Sequence, residues 1–198
     1  MFRFRHAAAA VSLALAASTA TAAPVTYTID PVHSRVSFFI NHLGFSNSSG
    51  SFKVAEGSTV TFDNDNWSKS NVAVSIPVKS LELGDATWNS HILDKDWLDL
   101  GQFAEIRFKS SKLEKTDATH GKLYGDVTIH GVTKPVTLDL TVNKVGEHFI
   151  RKAPAAGFTA TTVLHRSDFG VTAYTGAIGE NIDVRIEIES YVAAPAAK

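Results

Sequence analysis

Eight histidines are spread over the 198-residue chain, and with Asp30, Asp168 and Glu180 they are the side chains that could do acid–base or metal chemistry. Their spacing assembles no site. His33, His42, His91, His120, His130, His148 and His165 include no His-x-x-x-His pair for one helix face, and no cysteine exists to complete a zinc set. There is no Gly-x-Ser-x-Gly elbow to hold a nucleophile and no glycine loop leading into a helix to cradle phosphate. The run Arg166-Ser167-Asp168-Phe169-Gly170 is more suggestive. Gly170 after an aromatic marks a turn that needs φ > 0 or close approach. Arg166 is spaced to pair with Asp168 across that turn, or else to meet the polar head of a ligand at a rim. His42 is a second candidate rim residue, on the same strand face as Val36, Phe38 and Ile40. No metal ligand is assigned. A metal-binding protein or enzyme using His42, His130 or His165 with a carboxylate stands as the competing class.

The elements that would position these groups are strands. Between Lys122 and Asn143 two period-two stripes are apolar on one face only: Leu123, Gly125, Val127 and Ile129, then Val136, Leu138, Leu140 and Val142. Successive side chains on a strand point to opposite faces, so each strand has one dry face and one wet face. Gly131-Val132-Thr133-Lys134-Pro135 between the stripes marks a reversal, giving an antiparallel hairpin. Similar alternation occurs at Tyr27–Asp30 into Arg35–Asn41, Gly50–Val54, Ser58–Asp63, Asn71–Leu83, from Ile106, at Gly157–Leu164 and at Asn181–Tyr191. Eight or nine strands with turns between them predict an all-β fold. A closed, antiparallel, eight-stranded barrel is expected over a two-sheet sandwich, because closure removes exposed edges. Pro77 predicts an edge, bulge or bend.

One segment departs from period two. From Asp85 to Leu100, Trp88 pairs with Ile92 at i, i+4, and Leu93, Trp97 and Leu100 share a stripe opposite Asp94, Asp96 and Asp99. This is a short amphipathic helical connection near one end of the barrel. Trp88, Ile92 and Trp97 are candidate residues of a lid over the mouth, or of a plug packing that end.

Composition narrows the function classes. Arg3 and Arg5, an apolar run from Ala7 to Ala17 and Ala20-Thr21-Ala22 read as a cleaved secretory signal over residues 1–22. Residues 23–192 are then a single domain, and the alanine–proline end, 193–198, is a disordered tail. An exported protein without cysteine relies on its core alone. The near balance of 19 basic and 20 acidic residues, with no Lys/Arg cluster, argues against a nucleic-acid surface.

Taken in order, the motifs resemble those of the YceI-like polyisoprenoid-binding proteins. They are Tyr27-Thr28-Ile29-Asp30 with His33-Ser34, Val36-Ser37-Phe38, Asn41-His42-Leu43-Gly44, Gly50-Ser51-Phe52, Ser80-Leu81, and His91-Ile92-Leu93 near Asp96-Trp97-Leu98. Ile106-Arg107-Phe108-Lys109-Ser110, the hairpin from Gly125 to Val136 and the Arg166–Gly170 run complete the set. The likeness covers roughly Val25 to Val192. Ala104, Trp97 and Asn89 depart from the family's usual residues, all in or just after the helical connection. The resemblance implies a lipocalin-like barrel exported to the periplasm. It further implies binding, without catalysis or covalent cofactor, of an isoprenoid lipid such as ubiquinone or a polyprenyl phosphate, with transient membrane contact.

An isoprenoid tail has no hydrogen-bonding groups, so its site must be a dry tube. The stripes nominate Val36, Phe38, Ile40 and Phe52 in the first half of the chain, with Val60, Phe62, Val74 and Ile76 after them. Phe108, Val127, Ile129, Leu138, Leu140, Ile186 and Ile188 complete the candidate lining. Parity places these residues on dry faces and leaves open which touch a guest and which fill the core.

Overall fold

The computed structural model describes residues 23–194; the expected signal segment, 1–22, and residues 195–198 of the expected tail lie outside it. Ten strands are present: β1 (Val25–Ile29), β2 (Arg35–His42), β3 (Ser46–Phe52), β4 (Thr59–Phe62), β5 (Asn71–Pro77), β6 (Glu105–Lys115), β7 (His120–Ile129), β8 (Val132–Glu147), β9 (Pro154–His165) and β10 (Ile178–Tyr191). Eight of them close an antiparallel ring in the order β1, β4, β5, β6, β7, β8, β9, β10 and back to β1. The remaining hairpin, β2–β3, continues the wall. β1 and β2 lie end to end along β10, with β1 opposite Ser190 and Tyr191 and β2 opposite Ile178 to Glu187. Between them the chain loops out at Asp30–Ser34.

The hairpin expected from the two stripes forms, with a tighter turn than the sequence suggests. Ile129 pairs directly with Val132, and the reversal is made by His130 (φ 50°) and Gly131 (φ 74°) alone. Two residues at φ > 0 match the twist of the flanking strands. Pro135 therefore lies inside β8, opposite Asp126, rather than in the turn. It is tolerated because β8 pairs with β9 only from Asp139 onward. Pro77 ends β5, and a 3₁₀ turn at Val78–Ser80 follows, which is the expected bend.

The two ends of the barrel are built differently. One is shut by aromatic packing: Phe62 lies 5.6 Å from Trp67 and 5.2 Å from Phe158, both edge-on, with Tyr27, Leu113 and Leu140 in the same buried cluster. Edge-to-face pairs at this spacing add to the roughly 150–250 Å² that each aromatic buries. The opposite end carries α1 (Ala86–Leu93), the single α-helix among the described residues, started by the Asp85 carboxylate accepting from the Trp88 N–H at 2.8 Å. None of the helix residues is fully buried. It is laid across the end of the wall rather than sunk into it.

A polar lock holds the outward loop between β1 and β2. Asp30 is buried and accepts hydrogen bonds from the Val32 N–H (2.9 Å) and from Arg151 Nη2 (2.8 Å), with His33 Nδ1 at 3.2 Å. Burial pushes the Asp30 carboxyl upward, but the hydrogen bonds from His33, Val32 and Arg151 outweigh it and bring its pKa down to about 2. The loop is thereby tied to the β8–β9 connection.

Candidate functional site

A cavity of about 540 Å³ runs inside the barrel, and its lining is almost entirely hydrocarbon. That size falls within the usual range for small-molecule sites. All fifteen residues nominated from the stripes surround it. The sequence reading missed several others. Val136, Ile182 and Val184 share parity with chosen residues, while Phe158 and Ala160 stand on β9, where alternation with glycine and threonine gives little contrast.

Two glycines set the width of the bore. A Cβ at Gly50 would stand 2.5 Å from Phe38 Cζ, and one at Gly125 would stand 2.7 Å from the Phe108 ring. Each phenyl ring therefore packs directly against bare backbone while lining the cavity. The aromatic cluster of Phe62 and Phe158 closes the far end.

The helix end is the mouth. His42 and Trp88 line it, with ring centroids 6.4 Å apart, and Ile92 packs beside Leu83 and Leu98. Trp97 is buried, stacks on Tyr174 with centroids 6.0 Å apart, and donates its Nε1–H to His91 Nε2 at 3.2 Å. All three residues grouped as lid or plug line the cavity, but they differ in burial: Trp97 is buried against Tyr174, and Trp88 and Ile92 are half-buried on the helix.

Arg166 corrects an expectation. It makes no ion pair with Asp168; it borders the cavity beside Tyr174, Ala177 and Ile178, with four of its N–H groups already committed to backbone carbonyls. It is 2% exposed and lies beneath the loop, its Nε donating to Gly179 O (2.9 Å), Nη1 to Val171 O (2.9 Å) and Ala173 O (2.7 Å), and Nη2 to Ile178 O (3.2 Å). The reason is the planar guanidinium fork, which satisfies several convergent carbonyls at once. Arg166 is a positioning residue for the 170–178 loop. Gly170 takes the expected left-handed conformation, with φ 75°.

The histidines of the competing metal or enzyme reading do not converge. His130 Nδ1 lies 3.2 Å from Phe169 O, and His165 Nδ1 lies 2.9 Å from Asn181 Oδ1. Among the described residues the group with metal-like spacing is Asp30, His33 and Glu189, outside the wall. There Arg151 already neutralises Asp30, and His148 Nε2 lies 2.9 Å from Glu189 Oε1. His148 Nδ1 accepts the N–H groups of Ile150 and Arg151 at 3.1 Å, which leaves Nε2 protonated in the neutral ring and unsuited to a metal.

Comparison with known proteins agrees with this architecture. A family model for the YceI-like domain matches residues 27–190. A UPF0312 protein of Pseudomonas putida strain W619 is 36% identical over 174 residues, covering 85% of this chain and 87% of that protein. Among solved structures, Burkholderia cenocepacia BcnA superposes with a TM-score of 0.71 at 23% identity, over 81% of this chain and 98% of that one. A Campylobacter jejuni YceI protein gives 0.67 at 26% identity, over 78% and 90%. A polyisoprenoid-binding domain from Saccharophagus degradans gives 0.62 at 11% identity, over 84% and 98%. A family match spanning nearly all of the described barrel, with a relative of this identity and coverage, places the sequence: the chain belongs to the YceI-like family.

Proposed function

We propose that this protein is a periplasmic binding and carrier protein for an isoprenoid lipid, quinone-like or polyprenyl-phosphate-like, without catalysis or covalent cofactor. The observation that carries the reading is the hydrocarbon-lined cavity, closed by aromatics at one end and open beside His42 and Trp88 at the other. The polyisoprenoid-binding domain with the same fold supports the choice of guest. In this reading the tail runs toward Phe62 and Phe158, and the polar head stays at the mouth, where His42, His91, Arg166 and Tyr174 are among the polar lining residues.

Energetics favour exchange over permanent capture. At about 0.8 kcal/mol per buried CH₂, a tail of several isoprene units taken from water would exceed the practical affinity ceiling of roughly 18 to 21 kcal/mol. The relevant transfer is from membrane to cavity, where apolar contacts are traded almost evenly.

Titration of lipid-free protein with ubiquinone, followed by tryptophan quenching, tests the reading. Saturable quenching that polyprenyl phosphate displaces, or that it fails to displace, distinguishes the two guests. Phe38→Asp should abolish binding while circular dichroism reports a folded barrel. Folded wild-type protein that takes up neither lipid, and instead holds stoichiometric zinc or copper, contradicts the carrier reading.

A further inference from the structure

The rim of the cavity carries apolar side chains into solvent. The β2–β3 connection is a tight turn in which Leu43 (φ 57°) and Gly44 (φ 76°) both take left-handed backbone, closed by the Phe45 N–H donating to His42 O at 3.0 Å. A bulky residue at positive φ is disfavoured where asparagine or glycine would fit. Leu43 is nevertheless 50% exposed and Phe45 90% exposed. Beside them Tyr174, also at positive φ (50°), is 64% exposed. The Leu43 N–H donates to Ala177 O at 3.1 Å, so the two loops form one rim. Leu43 and Tyr174 line the cavity as well, and the apolar surface is therefore continuous from the bore to bulk solvent.

We propose that this rim docks on a lipid bilayer of uncharged or zwitterionic headgroups, and that cargo passes between bilayer and cavity through it. The inference rests on the carrier reading and adds the partner and the contacting residues. Two observations commit it to a bilayer. The whole hairpin from Val36 to Phe52 contains no Asp, Glu, Lys or Arg, so nothing on this blade opposes insertion into an interface. The adjoining helical connection bears Glu82, Asp85, Asp94, Asp96 and Asp99 against Lys95 alone, which repels anionic headgroups. A second exposed apolar tip, Phe149-Ile150, stands at the closed end with Arg151 and Lys152 and lines no part of the cavity.

Flotation of the lipid-loaded protein with phosphatidylcholine vesicles, with and without added phosphatidylglycerol, is the test. Wild type should float with the neutral vesicles and less with the anionic ones at low salt. Leu43→Asn and Phe45→Ser should each lower the bound fraction by about tenfold, the expected consequence of withdrawing one large apolar side chain from the bilayer. Leu43→Asn should also keep or raise the melting temperature, since asparagine suits the turn, and Phe45→Ser, which lies outside the cavity lining, should retain bound isoprenoid in native mass spectrometry. The paired change Phe149→Ser with Ile150→Ser should leave flotation unaltered. Rim variants that float like wild type, loss of flotation only on changing Phe149 and Ile150, or binding that requires anionic lipid would each overturn the docking proposal. Wild type that holds isoprenoid but does not float overturns docking and leaves the carrier reading intact. Wild type that floats but takes up no isoprenoid overturns the carrier reading, and cargo passage with it, and leaves docking intact.

Discussion

The phenyl ring of Phe38 lies against Gly50, its register partner across the β2–β3 hairpin, so closely that a Cβ on Gly50 would stand 2.5 Å from Phe38 Cζ. Leu83 Cδ2 would be equally near that added Cβ, so in a Gly50→Ala variant the Phe38 ring would be displaced into the bore. Gly50→Ala is expected to cost about 1–3 kcal/mol by overpacking and to lower isoprenoid uptake. The double variant Phe38→Leu with Gly50→Ala should recover most of both. Urea denaturation and tryptophan quenching measure the two effects on the same samples.

Asp30 makes stability depend on acid. Its folded pKa of about 2 lies below the ordinary 3.8, so its contribution is fully present above 3.8 and is lost as pH falls through about 2. The size is about 2 kcal/mol. Asp30→Asn should remove that amount at neutral pH and flatten the stability curve between about pH 4 and pH 2. Chemical denaturation of both proteins across that range checks it.

Arg166 holds four backbone carbonyls with one side chain. Arg166→Met leaves those acceptors without donors in a buried setting, which should destabilise by about 3–5 kcal/mol. Hydrogen exchange in the 170–178 loop should rise more than in the wall strands. Arg166→Lys should rescue only part of the loss, because an ammonium lacks the planar fork.

Trp67 shuts the closed end against Phe62. Trp67→Ala should cost about 3–5 kcal/mol. Trp67→Phe, which keeps an edge-to-face partner, should cost clearly less. Thermal unfolding of the two variants separates a plug from a surface ring.

What could be read from the sequence follows from contrast. Where valine, isoleucine and phenylalanine alternate with charged or hydroxyl residues, as at Ile182–Glu189, parity alone identifies the cavity face. On β9 the inward residues Ala156, Phe158 and Ala160 alternate with Gly157, Thr159 and Thr161, and the stripe is faint. Bulges hide the face too: the pairing shifts between Ser110 and Lys112 and again between Val142 and Lys144, so parity counted from Phe108 points Leu113 the wrong way. Trp67 escaped notice because it stands in a connection with no period. The Asp30–Arg151 pair joins positions 121 residues apart, and nothing local announces it. Arg166 was singled out for its charge, whereas its role depends on which carbonyls the folded loop turns toward it.

Native mass spectrometry of protein purified from its own cells, with solvent extraction of the same sample, tests the central claim most directly. The account predicts one isoprenoid lipid per barrel, released intact and absent from a folded Leu140→Asp variant. A folded wild-type barrel that carries no lipid and accepts none from isoprenoid-containing vesicles would contradict it.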